Sequence, residues 1–132
     1  MSEPVIIALL LADKVITENN GKKGLIGVFS KFLFPKFPIV SPPWFIYASV
    51  TNLRGHHDMS FNLVQTDSQA VIFSIGGSID AKDPNAVIEI VFPVINVRFP
   101  REGNYILQFN IDGRQVSSRN IQVELISEGK QN

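Results

Sequence analysis

The 132-residue chain contains no cysteine, which excludes disulfide scaffolds, cysteine-ligated zinc and thiol nucleophiles together. It is also poor in charge. Charged residues make up 18% of it, and 12 basic against 12 acidic side chains leave a formal net charge of zero. Nucleic-acid binders need a basic excess to neutralise phosphates, and this chain has none. Long hydrophobic runs are missing as well: the first, Val5 to Ala12, closes at Asp13-Lys14, far short of the roughly 20 apolar residues that cross a bilayer. Glu3 is the only charge ahead of that run and no small-x-small cleavage site precedes Asp13, so it does not read as a secretory signal. No Asn-x-Ser/Thr acceptor for glycosylation occurs. The expected compartment is the cytoplasm.

What is present is apolar surface. Hydrophobic residues account for 45% of the chain, too many for a disordered segment. A chain of this size buries about two-thirds of its unfolded surface in a single core. The expectation is one domain over residues 1–132, with 127–132 as a frayed tail.

Almost every segment reads as strand. Val5–Thr17, its first part expected to be buried on both faces, leads into Glu18-Asn19-Asn20-Gly21-Lys22-Lys23; Asn20-Gly21 suits the positive-φ positions of a hairpin turn. The chain returns as Gly24–Phe34, whose imperfect alternation reads either as a strand buried on both faces or as a bulge near Gly27. Pro35–Pro43 then holds four of the eight prolines, and reads as a crossover because proline offers no ladder donor. Trp44–Thr51 resumes a strand. Asp58–Thr66 alternates, with Met59, Phe61 and Leu63 on one side. Ala70–Ile79 places Val71, Phe73 and Ile75 on one face, and Gly76-Gly77 suggests a bulge or a close backbone approach. Ala86–Ile95 follows a loop over Asp80–Asn85. Tyr105, Leu107, Phe109 and Ile111 alternate up to an Asp112-Gly113 hairpin turn. Arg114–Ile126 returns with Ile121, Val123 and Leu125 inward, and Ser117-Ser118 is expected to interrupt the pairing.

About eight strands with no helical period describe an all-β, antiparallel sandwich or barrel. Gly103-Asn104-Tyr105 ahead of a hairpin has the form of a tyrosine corner, in which the phenol hydroxyl bonds backbone upstream. That favours a single immunoglobulin-like β-sandwich.

Several of these segments together resemble an uncharacterised, mainly bacterial family of domains of unknown function, small all-β proteins. The matching elements are Ala12-Asp13, Glu18 to Lys22, Leu25 to Phe29, Phe34 to Pro38, and Phe99 to Tyr105 with Asp112-Gly113. The resemblance covers essentially the whole chain and implies a fold. It implies no activity, and no functional residue comes with it. Asn19-Asn20, one residue longer than the shortest form of the turn, affects only the turn type.

Chemistry-bearing constellations are thin. His56-His57-Asp58, the only histidine cluster, is read as a loop. Neighbours in an extended segment point to opposite sides, so one histidine and Asp58 could share a metal only with ligands from elsewhere, such as Asp80 or Asp83. The expectation is a solvated loop without metal. Ser78 has glycines on one side only, which is neither a nucleophile elbow nor a phosphate loop. Asp67, Asp80 and Asp83 with Lys82 suit turn-stabilising roles, with too few acids grouped for a calcium site. Asp13 reads as the strand's exit to solvent, not as a buried partner of Lys14, Lys31 or Arg98. No cofactor and no catalytic residue is expected.

One region stands out. From Asp13 to Arg54 the basic residues Lys14, Lys22, Lys23, Lys31, Lys36 and Arg54 face only Asp13 and Glu18. Within it, Lys31, Phe34, Lys36, Phe37 and Trp44 form the candidate interaction surface, since aromatics rimmed by polar groups mark partner sites. The bland alternative is a loop whose phenylalanines cap the core. The expected function is a non-enzymatic protein-interaction or assembly module, working through an edge strand or this crossover. The alternative is a sandwich that binds a small ligand between its sheets or under the crossover. The expected partner is another protein or a second copy, with neither nucleic acid nor membrane.

Overall fold

Alternation settles the inner strands. In the computed structural model, which describes residues 3–126, Met59, Phe61 and Leu63 of one strand and Tyr105, Leu107, Phe109 and Ile111 of another are all buried, as a period of two requires. Eleven strands occur among the described residues, and no helix: β1 (Val5–Thr17), β2 (Lys23–Phe29), β3 (Lys31–Phe34), β4 (Ile39–Val40), β5 (Trp44–Thr51), β6 (Gly55–Gln65), β7 (Val71–Ala81), β8 (Ile88–Val94), β9 (Arg98–Phe99), β10 (Gly103–Ile111) and β11 (Arg114–Leu125). The expectation of a frayed tail over 127–132 lies outside the described residues.

The strands form a four-stranded sheet β2-β1-β5-β8, a five-stranded sheet β3-β11-β10-β6-β7 and the short pair β4-β9. All pair antiparallel except β3 with β11, which run parallel. The inner faces of both large sheets belong to one hydrophobic core: Leu11, Ile46 and Val50 of the first lie in the same cluster as Phe61, Leu107 and Ile121 of the second. Phe61 stacks on Phe109 at 4.8 Å within its sheet and meets Phe92 of the other sheet edge-on at 6.1 Å. Each ring buried this way stabilises the fold by roughly 1.5–3 kcal/mol. The Tyr105 hydroxyl donates a 2.6 Å bond to the Arg101 carbonyl, as the corner reading anticipated, and burial pushes its phenol pKa up.

The strand count exceeds the expected eight for two reasons. The segment read as one strand, Gly24–Phe34, divides at Ser30, where the chain leaves the first sheet and β3 joins the second. The proline-rich crossover and the segment before Arg101 each contribute two residues to the β4–β9 pair. The bulges also fall elsewhere than expected. The β1–β2 register is unbroken past Gly27, and β7 pairs with β6 without interruption at Gly76-Gly77, its irregularity falling between Leu63 and Val64. In β11 the shift lies beside Val116, next to Ser117. Val5 and Ile7 are exposed, so the start of β1 is not buried on both faces. A register shift between Ile6 and Ala8 then turns Leu9 and Leu11 into the core. Leu125 is exposed and not inward, because β11 ends there with only the short β3 beside it.

Candidate interaction surface

The division at Ser30 determines where the crossover aromatics go. Phe29 ends β2 in one sheet and Phe32 begins the crossing to the other, their rings 4.8 Å apart. Phe32 then meets Trp44 at 5.6 Å, Phe34 at 5.2 Å and Phe99 at 5.2 Å, while Phe34 meets Phe99 at 5.6 Å and Phe37 at 6.0 Å. Phe34 and Trp44, placed by sequence on a contact surface, are therefore core: 6% and 1% exposed. Large rings gathered at one end of the domain have more to gain from each other than from water. Phe37 is half-buried against Phe34. Lys31 and Lys36 are exposed, and Lys31 lies 3.4 Å from Glu124 in a surface ion pair.

Lys31, Phe34 and Trp44 do come together, with Asp13 and Pro43, around a cleft of about 330 Å³ that Lys36 and Phe37 do not line. Asp13 is exposed, as expected, but it lies within β1, which runs on to Thr17, and is not the strand's exit. It also has a local task. Gly27 opposite it sits at φ +72°, and a Cβ there would collide with the Asp13 carboxylate.

Beside this cleft lies a feature that the sequence did not announce. The last residue of β1 paired to β5 is Ala12, but β1 stays paired to β2 as far as Thr17–Lys23. Asp13–Thr17 and their partners in β2 thus form a two-stranded ribbon beyond the rest of the sheet. Ile16 and Ile26 are 47% and 49% exposed there, and Val28, on β2 just short of the ribbon and opposite Ala12, is 52% exposed. Four strands lie at the edges of the two large sheets, and edges are normally guarded by charge, proline or brevity. β3 is short and runs into Pro35, β8 carries Glu89 and Pro93, and β7 turns Ser74, Gly76 and Ser78 outward. Between Lys23 and Phe29, β2 has neither charge nor proline. The available signal was a hairpin with apolar residues on both of its faces.

The histidines lie on β6 and not in a loop, because Gly55–Asp58 already pairs with Ser78–Ala81 of β7. They point to opposite sides, as an extended segment dictates. His56 Nδ1 is 2.8 Å from Asp80 Oδ1, and that hydrogen bond raises its pKa. His57 Nδ1 is 2.6 Å from Asp112 Oδ2 and its Nε2 is 2.9 Å from the Arg54 carbonyl. Both ring nitrogens of His57 face acceptors, which favours the doubly protonated ring, and the Asp112 bond raises its pKa above the usual histidine value. Asp112, whose other oxygen accepts the Asp58 N–H at 3.0 Å, is correspondingly lowered by the His57 bond. This arrangement staples the Asp112-Gly113 turn to β6 and leaves His57 no free nitrogen to act as a base. Among the described residues, no three histidine, aspartate or glutamate side chains are grouped to hold a metal. No helix among them is long and apolar enough to cross a membrane.

Comparison with known proteins agrees with the resemblance drawn from sequence. A model described as a family of unknown function (DUF6941) matches residues 7–124. None of the curated proteins compared matches the chain. Among solved structures, the chain is similar to part of the Pseudomonas fluorescens alkylpurine DNA glycosylase AlkC, bound to DNA containing an abasic site analog. The TM-score is 0.57 at 9% identity, over 93% of this chain and 31% of that one. At such identity the likeness concerns the fold alone, and the chain spans less than a third of the glycosylase.

Proposed function

This chain belongs to the family of unknown function DUF6941, and we propose that it is a non-enzymatic protein-interaction module whose contact surface is the β1–β2 ribbon. The observation that carries this function is the β2 edge, unpaired on its outer side among the described residues, with half-exposed Ile26 and Val28 on it and Ile16 beside it. An unguarded apolar edge invites strand pairing, and β-augmentation is a common mode of protein recognition. The sequence expectation of an edge-strand contact is thereby narrowed to one edge, with the crossover aromatics bracing it from within.

The scaffold in this proposal is an immunoglobulin-like sandwich. Its support is the strand order: β1-β5-β8 corresponds to A-B-E, and β7-β6-β10-β11 to C′-C-F-G. Tyr105 lies near the start of β10, where the corner tyrosine of such domains lies. The non-enzymatic reading is supported by His57, whose two ring nitrogens both face acceptors in the staple. A net charge of zero argues for a protein partner over nucleic acid, and a cysteine-free chain suits the cytoplasm.

Native mass spectrometry of freshly purified protein tests the function. The expected spectrum holds a second protein chain, released by Ile26→Asp with Val28→Asp but retained by the control Val71→Asp on β7. A bare single chain would contradict it. A second function, small-ligand binding, is favoured by the aromatic cleft, where the buried Trp44 Nε1 has no hydrogen-bond partner among the described residues. An added mass of a few hundred daltons, lost on Trp44→Phe, would select that function instead.

A further inference from the structure

We infer that the occupant of the β2 edge is a second copy of this chain, joined by antiparallel β2–β2 pairing about a two-fold axis at Leu25. The inference rests on the ribbon as contact surface and adds its partner and register. Two-fold strand pairing is isologous: each position meets the position that mirrors it about the axis. With Leu25 opposite Leu25, Lys23 faces Gly27 of the second copy, and Gly24 faces Ile26.

Both glycines are covered from β1. The Asp13 carboxylate occupies the space over Gly27, and Ile16 Cγ1 lies 2.9 Å from where a Gly24 Cβ would stand. The β1–β2 register puts Lys23, Leu25 and Gly27 on one face with Thr17, Val15 and Asp13, and Gly24 and Ile26 on the other with Ile16 and Lys14. On the first face, therefore, the Lys23 ammonium of each copy meets the Asp13 carboxylate of the other. On the second, each Ile26 covers the other copy's Ile16 across Gly24. Each contact occurs twice by symmetry, ionic on one side of the ribbon and apolar on the other.

Neighbouring registers lose this match. An axis at Gly27 sets Lys23 against Lys31, and an axis at Gly24 sets Lys23 against Leu25 and Lys22 against Ile26. An axis at Ile26 sets Lys23 against Phe29. Only the Leu25 axis opposes unlike charges. In the single chain Lys23 Nζ donates to Thr17 Oγ1 at 2.8 Å, back toward β1, so the pairing exchanges that bond for the Asp13 carboxylate of the second copy.

Sedimentation equilibrium of the full chain, with two charge reversals, tests the inference. Wild type should sediment at about twice 14.7 kDa at high micromolar concentration. Lys23→Glu sets carboxylate against carboxylate across the interface, and Asp13→Lys sets ammonium against ammonium, so each variant alone should weaken dimerisation by about tenfold or more. Mixed together, each variant supplies the charge the other lacks, and heterodimers should form near wild-type strength. That rescue also shows both variants to be folded. A wild type monomeric throughout, or a dimer indifferent to both reversals, would overturn the inference. If the native spectrum then holds a different protein released by Ile26→Asp with Val28→Asp, self-pairing fails and the contact function stands. A monomer with nothing bound overturns both.

Discussion

Phe34→Ala separates a core crossover from a surface one. Phe34 is 6% exposed and touches Phe32, Phe37 and Phe99 at 5.2, 6.0 and 5.6 Å. Removing a buried phenylalanine ring costs about 3–5 kcal/mol, from lost transfer energy and the cavity left behind. A domain of this kind has about 5–15 kcal/mol of net stability, so about a fifth or more of it should go. With a urea slope of about 2 kcal/mol per molar, the unfolding midpoint should fall by about 2 M. The assay is built in: Trp44 is the chain's one tryptophan, it is 1% exposed, and it contacts Phe32 at 5.6 Å, so its fluorescence reports the same cluster. Val71→Ala, at an exposed position on β7, should shift the midpoint by no more than about 0.5 kcal/mol in equivalent stability. A Phe34→Ala midpoint within about 0.5 kcal/mol of wild type would refute the core assignment.

Three further outcomes follow from the geometry. His57 is raised in the fold, so the stability it adds is full below the ordinary histidine value and is lost as pH climbs through the raised one. Asp112 is lowered, so its share is full above the ordinary carboxylate value and is lost as pH falls through the lowered one. The urea midpoint should therefore be higher at about pH 5.5 than at about pH 8.5, with the difference reduced in His57→Gln; an unchanged difference would contradict the double-donor staple. Tyr105→Phe removes the hydroxyl that donates to the Arg101 carbonyl and should cost about 1–2 kcal/mol by equilibrium unfolding, with a neutral result counting against the corner. Gly27→Ala should cost about 1–2 kcal/mol for its left-handed φ alone, plus the collision with Asp13. Adding Asp13→Ala should recover the collision but not the dihedral part, so additive single and double values would contradict that packing.

The inner strands were legible because alternation is a local signal. Met59, Phe61, Leu63 and the Tyr105 to Ile111 series are buried as their spacing demands, and Asp112-Gly113 takes positive φ at both residues, as a type I′ turn needs. The switch at Ser30 was not legible, because apolar residues continue on both sides of it and only the position of β11 decides which sheet receives them. The same holds for Phe34 and Trp44. An aromatic beside lysine and proline has one composition whether it faces water or Phe99, and only the tertiary path tells the two apart. His56 and His57 were assigned to a loop because their polarity hid the pairing of Gly55–Asp58 with β7. The ribbon escaped notice for a related reason: Ile16 and Ile26 are exposed because β5 pairs no further along β1 than Ala12, a boundary set by another segment of chain.

The contact function turns on whether the β2 edge meets protein in the cell, and a photo-crosslinking scan tests that most directly. A photoreactive residue is placed in turn at Ile26, Val28 and, on the polar face of β7, Ser74, in the full chain produced in its own cells. Strong protein adducts from Ile26 and Val28, with none above background from Ser74, are the predicted result. Equal yields at all three positions, or no adduct at either ribbon position, would contradict the account.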